Sequence, residues 1–330
     1  MQIQVLNLLL FMLLATSTLS AKILLPAVLS HNMVLQQKSH VKLWGKAIPN
    51  SCVSVRTSWN NQMSVTQSDM NGNWQLTVLT PSAGGPYEIS ITDGEETILK
   101  DILIGEVWLC SGQSNMALPL SGRAGQPVEG ANEILVRAKE SLPLRVFTVV
   151  SSSSETPQDN VKGKWLKSTS ENLQNTSAVA YFYGQLLQET LDVPIGLIVS
   201  AYSGSQIESW LPEHPSCYLY NAMIHPLKNY TLKGFLWFQG ESNCIDPQLY
   251  SKLFPKLPKG FRDVWGLGEL PFYYVQIAPY AYHWLEETAA ARVREVQLKN
   301  EMLIPNAGMA VILDLSLIHI SEPTRHAQIS

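Results

Sequence analysis

The sequence predicts an α/β protein with an open, mostly parallel sheet flanked by helices and preceded by a small β-sandwich. Two patterns along the 330 residues indicate this fold class. Up to about residue 100, short segments alternate apolar and polar residues, as half-buried strands do. After Asp101, nearly continuous apolar runs alternate with helical stretches, which is typical of buried parallel strands joined by helices.

Residues 21–100 are predicted to form the β-sandwich-like N-terminal domain. Its strands are expected at residues 41–45, 53–57, 74–78 and 87–91. Turn-forming residues separate these segments, at residues 48–50, 71–73 and 82–86. Short strands at this spacing commonly pack as two small sheets around one core.

Residues 101–314 are predicted to form the domain with the parallel sheet. Its strands are expected at residues 102–110, 193–199, 235–238, 272–277 and 309–313. Helices are expected at residues 178–190 and 289–301, and the first places Val179, Phe182, Leu186 and Leu187 on one face. In such sheets the chemistry lies just past the carboxyl ends of the strands.

The first 20 residues are typical of a signal peptide. The apolar run at residues 7–15 is too short to span a bilayer, and small residues follow it, so cleavage is expected near Ser20 or Ala21. No later segment has an apolar stretch of membrane-spanning length. We therefore expect the protein to enter the secretory pathway and to be secreted or lysosomal. There, four cysteines permit two disulfides in three pairings, and Asn175 and Asn229 are candidate glycosylation sites.

Charge and composition exclude other classes of protein. The net charge is −4 and no run of Lys or Arg is present, which argues against a nucleic-acid-binding surface. No cysteine or histidine spacing suggests a zinc site. The oligomeric state stays open.

Three of the predicted strands are followed by loops that carry unusual polar residues. Ser114 follows the first strand, two residues after a glycine, on a turn that can present its hydroxyl above the sheet. Gly204 follows the second strand, where a backbone N–H could approach an oxyanion. Asn243 belongs to a polar group directly behind the third strand. Taken alone, each of these loops is more often structural than catalytic.

Five segments together resemble the sialate O-acetylesterase family. They are residues 31–36, 111–116, 193–198, 221–227 and 237–243, in order along the chain. The resemblance extends from about Leu25 to Leu313. It implies an SGNH-hydrolase domain, which has a flavodoxin-like sheet, and removal of O-acetyl groups from sialic acids without a cofactor.

The resemblance also implies roles for individual residues. Ser114 matches the nucleophile, while Gly204 and Asn243 match the oxyanion hole. The family usually has two glycines in the second loop, whereas the first of them is Ser203 here. Four further residues are candidates for substrate binding without an assigned step: Gln113, Gln239, Glu241 and His225.

The end of the chain departs from the family pattern. The resemblance implies a catalytic histidine in an Ile-His-Pro context after an aspartate, and Asp314 approaches that context. Residues 315–330 instead resemble translated sequencing-adapter sequence. We therefore expect a non-native tail at 315–330, in which His319 and His326 are accidental. The esterase domain is then incomplete, its catalytic histidine is absent, and this chain is itself inactive.

Two alternatives to a sialate esterase remain open at this stage. The first is a non-catalytic protein that binds acetylated sugars and has lost its base. The second is an esterase for a plant-type substrate such as acetylated xylan. The aromatic residues of the sequence do not distinguish these substrates, because rings that bind sugars also build ordinary cores.

Overall fold

The structure, a computed structural model, describes residues 23–280 and 285–313. The predicted signal peptide and the predicted tail lie outside the described residues, as do His283 and Asp314. Within the described ranges, no helix is both long enough and apolar enough to cross a membrane.

Two small sheets form the N-terminal part of the molecule. Their strands are β1 (Val34–Gln36), β2 (His40–Lys46), β3 (Cys52–Thr57), β4 (Met63–Gln67), β5 (Asn73–Leu79) and β6 (Gly84–Thr92). β2 pairs with β5 in one sheet, and β3 joins β4 and β6 in the other, all antiparallel. Alternate residues of both sheets point into one shared core, for example Trp74 and Leu76 of β5 against Val55 of β3. This arrangement confirms the predicted small β-sandwich, although β1 and β4 were not predicted.

One 17-residue strand, β7 (Glu96–Gly112), joins the two parts of the molecule. Its first half pairs antiparallel with β6, and its second half lies between two parallel neighbours in the central sheet. Burial changes accordingly, because exposed and buried residues mix before Ile102 and every residue from Ile102 to Gly112 is buried. The predicted domain boundary between residues 100 and 101 therefore falls inside a continuous strand.

The central sheet contains seven strands in the order β13-β12-β11-β7-β10-β8-β9. Besides β7 these are β8 (Leu144–Thr148), β9 (Trp165–Lys167), β10 (Ile195–Ala201), β11 (Gly234–Phe238), β12 (Phe272–Val275) and β13 (Ala307–Ala310). All neighbouring pairs are parallel except β8 with β9 at the edge. The mostly parallel sheet is thus confirmed, and β8 is the parallel strand that the sequence patterns did not predict.

Helices flank this sheet. They are α1 (Ala131–Arg137), α2 (Ser170–Leu173), α3 (Ala178–Leu191), α4 (Pro247–Leu253), α5 (Lys256–Trp265) and α6 (Ala289–Glu301). The hydroxyl of Ser177 accepts a hydrogen bond from the Ala180 N–H and caps α3, which fixes where this helix begins.

The buried face of α3 differs from the predicted one. The helix is present, but Phe182 and Leu186 are exposed, and its fully buried residues are mostly small ones such as Ala180 and Gly184. A Cβ on Gly184 would lie 2.7 Å from the Leu197 side chain, so the helix packs closely on β10. The prediction failed because the apolar periodicity favoured large side chains, whereas close packing on the sheet selects small ones.

The cysteines do not form the disulfides that the sequence permits. Cys52 is exposed on β3, Cys110 is buried in β7, and Cys217 lies on a connecting segment, all three as free thiols. This leaves no pair for a disulfide among the described residues. Burial raises the pKa of the Cys110 thiol well above its usual value, so that thiol stays protonated.

Candidate active site

The three polar loops meet at one edge of the central sheet. β10, β7 and β11 are parallel neighbours, so their carboxyl ends point the same way. The chain that leaves β7 runs to β8, which lies two strands away from β7 on one side of it. β11 is the neighbour of β7 on its other side. The loops therefore surround a point where the strand order reverses, which is where open α/β sheets bind ligands.

Ser114 stands at the centre of this edge, two residues beyond the end of β7. Gln113 N–H donates to Phe238 O at 2.9 Å, and Tyr202 N–H donates to Gly112 O at 3.0 Å, so the ends of all three strands are tied together. Ser114 is partly exposed, and its hydroxyl has no hydrogen-bond partner among the described residues. The hydroxyl is thus presented to solvent from a rigid strand end.

Glycine is required immediately before this turn. Gly112 has a φ of 144°, and a Cβ there would lie 2.0 Å from Phe238 O. Residues with a side chain rarely adopt this φ, and the backbone of Phe238 also occupies the space that a Cβ would need. The central strand can approach its neighbour closely because residue 112 has no side chain.

Gly204 lies on the exposed loop after β10. Its φ of 74° is in the left-handed region, and no heavy atom lies within 4 Å of the position a Cβ would take. The glycine therefore serves the backbone conformation rather than a tight contact. Ser203, which replaces the first of the two family glycines, is exposed beside it.

The side chains of Gln239 and Asn243 form a buried network beneath the loops, 0% and 1% exposed respectively. Asn243 Oδ1 accepts from Ile207 N–H at 2.9 Å and from Gln239 Nε2 at 2.7 Å. Its Nδ2 donates to the carboxylate of Glu208 at 2.9 Å. A carboxylate can only accept and a backbone N–H can only donate, so these two partners determine the orientation of the amide.

Gln113 and Glu241 connect the first and third loops. Gln113 Oε1 accepts from Gly240 N–H at 3.3 Å and from Ser242 N–H at 3.4 Å. Asn115 Nδ2 donates to Glu241 Oε1 at 2.6 Å, while Oε2 of that carboxyl is buried without a hydrogen-bond partner among the described residues. Burial raises the pKa of Glu241 to about 6, and the Asn115 hydrogen bond opposes that rise only in part.

A cleft of about 840 Å³ opens above these loops. We call it the strand-end cleft, and the loop residues that line it are Gln113, Ser114, Asn115, Gly204, Ser205, Gln206, Glu241 and Ser242. Tyr202, Tyr218 and Tyr280 add aromatic rings to its walls. Of its described lining residues, Glu241 is the one with a formal charge, and none is a histidine.

The structure does not bring every predicted site residue to this cleft. Gln239 and Asn243 lie below it rather than in its lining. His225 lines a different cleft of about 850 Å³, between the small sheets and the central-sheet domain, which we call the interdomain cleft. There its Nδ1–H donates to Gln158 O at 3.0 Å, and Nε2 accepts from the Lys228 ammonium at 2.7 Å. The expectation that His225 lines the pocket of Ser114 is therefore corrected.

The candidate glycosylation sites differ in exposure. Asn175 is exposed, whereas Asn229 is partly buried and lines the interdomain cleft. Within the described parts of the chain, no cluster of three or more histidine, cysteine or acidic residues is arranged to hold a metal ion.

Comparisons with known proteins identify the family of the chain. The family model described as carbohydrate esterase, sialic acid-specific acetylesterase matches residues 104–327, which is more than half of the chain. The chain belongs to this family. A crystal structure of a carbohydrate acetylesterase from Xanthomonas citri is 32% identical, with a TM-score of 0.82, and the match covers 92% of this chain and 73% of that one.

Mammalian members of the family match over most of the chain. Sialate O-acetylesterases of Pongo abelii and Homo sapiens are each 30% identical over 340 residues, covering 87% of this chain. The chain spans 64% of the length of these two relatives.

Two polar residues of this site were not predicted from the sequence. Glu208 holds the amide of Asn243, and Asn115 holds Glu241. Glu208 is the acidic residue of the second loop, a signal that could have been noticed. Its partner lies 35 positions away in the sequence, so only the strand order reveals the contact.

Proposed function

We propose that this esterase-family chain removes O-acetyl groups from sialic acids by serine acyl transfer, with Ser114 as the nucleophile. The observation that carries the proposal is the position of Ser114. It lies at the end of the central strand, partly exposed in a cleft, with the two other family loops on either side.

The reaction proceeds in two steps. Ser114 Oγ bonds to the acetyl carbon while its proton passes to a base, and the C–O bond to the sugar then breaks as the sugar oxygen takes up that proton. Water attacks the acetyl-serine next, which releases acetate and restores the hydroxyl. The family resemblance implies a histidine as the base, and we assign this role to none of the described residues.

The oxyanion is held by the N–H groups of Ser114 and Gly204 and by the side chain of Asn243. The role of Asn243 is the one that the family resemblance implies. Its side chain lies just below the lining of the cleft, and one of its two N–H groups already donates to Glu208, so the other N–H is the one that would have to reach the oxyanion. Each such donor is worth about 3–4 kcal/mol of barrier. Gln113 and Glu241 line the cleft and are proposed to contact the sugar, whereas Gln239 supports Asn243 from below.

The charge of the strand-end cleft favours a second candidate substrate, a neutral acetylated sugar such as acetylated xylan. Sialic acid carries a carboxylate, which proteins commonly bind with Arg or Lys. The described lining of the cleft contains neither, and its one charged group is Glu241.

Acetate release tests the proposal directly. The full native chain is incubated with O-acetyl sialic acid and, separately, with acetylated xylan, beside Ser114→Ala and the control Ser242→Ala, a second serine of the same cleft. We expect sialate deacetylation that Ser114→Ala abolishes and Ser242→Ala largely retains. Faster release from xylan selects the second candidate. Sugar binding without any Ser114-dependent acetate release contradicts both and leaves a non-catalytic binder.

We further propose that the protein acts in the secretory pathway, either outside the cell or in lysosomes, and carries glycans at Asn175 and Asn229. The exposed position of Asn175 supports the first of these sites. Glycopeptide mass spectrometry of the natively expressed protein tests both, and unmodified peptides from a secreted sample would refute glycosylation.

A further inference from the structure

We propose that the interdomain cleft is a second carbohydrate-binding site, which takes neutral sugars of the glycan chain whose acetylated unit occupies the strand-end cleft. This inference rests on the proposed function, because that function determines which glycan chain is bound. The class of ligand follows from the residues of the interdomain cleft alone.

The walls of the interdomain cleft are polar and balanced in charge. Two lysines, Lys46 and Lys228, face two aspartates, Asp69 and Asp159, in its lining. Most of its other polar side chains are amides and hydroxyls. A phosphate or a polyanion would require an excess of positive charge, so a neutral ligand rich in hydroxyl groups fits this lining better.

Trp44 supplies an aromatic surface in this cleft. It lies on β2 with its side chain on the outward face of the small sheet, directly opposite Gln75 of β5 in the register. Both residues line the cleft, and Trp44 is only partly buried. The ring packs in part against the hydrophobic core, and its exposed part is an amphipathic surface that suits a sugar face.

Trp74 also borders the interdomain cleft, but its side chain points into the core of the small sheets and is only 3% exposed. In the β2–β5 register it lies on the face opposite to Trp44. Trp44 is therefore the aromatic surface that a ligand in this cleft would meet.

Two segments connect the interdomain cleft with the strand-end cleft. Ser153 and Tyr218 line the strand-end cleft, whereas Gln158 and His225, further along the same two segments, line the interdomain cleft. The segments are hydrogen-bonded side by side, from Ser154 N–H to Tyr218 O at 3.0 Å and from Gln158 N–H to Asn221 O at 2.9 Å.

The surface between the two clefts suits a sugar chain. Gln158 lies five positions after Ser153, so the span is at most about 18 Å, which a short oligosaccharide can cover. Nearly all residues of this segment are exposed, and they are mostly hydroxyl-bearing or amide-bearing. A chain leaving the strand-end cleft thus meets a polar path to Trp44.

Binding measured on an inactive protein tests the second site. Ser114→Ala is made in a host that does not glycosylate, and the probe is a neutral, acetyl-free xylo-oligosaccharide, titrated by isothermal calorimetry and by tryptophan fluorescence. Trp44→Ala in that background is expected to weaken binding by about 3- to 10-fold, because the sugar loses its contact with the ring. The matched control is Trp59→Ala, a partly buried tryptophan of the same small sheets outside the cleft, with binding unchanged.

Kinetics on the active chain separate this site from the reaction itself. Trp44→Ala should leave kcat/KM for 4-nitrophenyl acetate unchanged and raise KM for an acetylated oligosaccharide. Oligosaccharide binding that Trp44→Ala weakens, in a chain without esterase activity, would remove the proposed function and keep this site. Ser114-dependent esterase activity, with equal oligosaccharide affinity in Trp44→Ala and its parent, would keep the proposed function and overturn this second site. Loss of binding in protein from glycosylating cells, with a glycan on Asn229, would make that glycan the occupant and overturn the proposal.

Discussion

The strand-end cleft and the interdomain cleft have nearly equal volumes, about 840 and 850 Å³, but their polar groups are organised differently. Beneath the strand-end cleft, buried amides are held by several partners each, and Asn243 alone makes three hydrogen bonds. Among the residues that line the interdomain cleft, the buried Trp74 Nε1 has no partner within the described residues. The two clefts therefore differ in how firmly their polar groups are oriented and not in volume, and fixed orientation is what a reaction requires.

The largest effect is expected on stability, at the close backbone contact between Gly112 and Phe238 beneath the strand-end cleft. Gly112→Ala places a Cβ 2.0 Å from Phe238 O, so we expect the free energy of unfolding to fall by about 3–5 kcal/mol. Gly130→Ala is the control, because its φ of 74° is also left-handed but its surroundings are open, and it should cost only about 1 kcal/mol. Urea denaturation measures both, and equal stability of the two variants would show that the strand ends are not tightly packed.

An intermediate effect is expected from the buried network. Asn243→Ala leaves Ile207 N–H, Gln239 and Glu208 without this partner, so we expect a loss of about 2–3 kcal/mol in stability and of about 100-fold in kcat. Asn229→Ala, in the interdomain cleft, should change neither quantity.

Asn300→Ala provides the control for a purely structural effect. Asn300 is buried in α6 and its Nδ2 donates to Val296 O at 2.9 Å, outside the lining of the strand-end cleft. Its loss should lower stability with kcat unchanged. A kcat for Asn243→Ala equal to that of the parent would remove Asn243 from the proposed oxyanion hole.

The smallest effect is a pH dependence of stability at Glu241. Its folded pKa of about 6 lies above the ordinary 4.5, so the protonated form favours the folded state. Its contribution is complete below pH 4.5 and is lost as the pH rises through 6. Glu241→Gln should therefore be about 1–2 kcal/mol more stable than the parent at pH 8 and equal to it at pH 4.

Glu140→Gln is the control for that pH dependence. The Lys167 ammonium holds the pKa of Glu140 below its usual value, so its replacement should not stabilise the protein at pH 8. Thermal denaturation across this pH range measures both variants. If the stability difference between Glu241→Gln and the parent stayed the same from pH 4 to pH 8, the raised pKa of this buried carboxyl would be contradicted.

Much of the fold could be predicted because each local pattern matched its environment. The strands of the N-terminal sheets alternate apolar and polar residues because only one face of each strand is buried. The second half of β7 is continuously apolar because both of its faces are buried. The boundary at residue 100 was less predictable because β7 belongs to both a small sheet and the central sheet. The hydrophobic period of a sequence does not show where a chain passes from one domain to the next. The buried face of α3 was missed because Gly184 and Ala180 carry no apolar signal.

The candidate site was predictable as a set of loops and not as a set of contacts. Family motifs singled out Ser114, Gly204 and Asn243, and the strand order explains why their loops meet. Which polar groups face the cleft depends on tertiary packing, so Gln239 and Asn243 proved to lie beneath it and His225 proved to lie elsewhere. Partners such as Glu208 and Asn115 become apparent only from distances in space.

Covalent labelling tests most directly that Ser114 is the nucleophile. The full native chain, Ser114→Ala and Ser242→Ala are treated with paraoxon, which transfers a diethylphosphoryl group to activated serines, and are analysed by peptide mass spectrometry. We predict one label, on the peptide that contains Ser114, in the native chain and in Ser242→Ala, and none in Ser114→Ala. A label on another serine, or one that persists in Ser114→Ala, would contradict the assignment of Ser114.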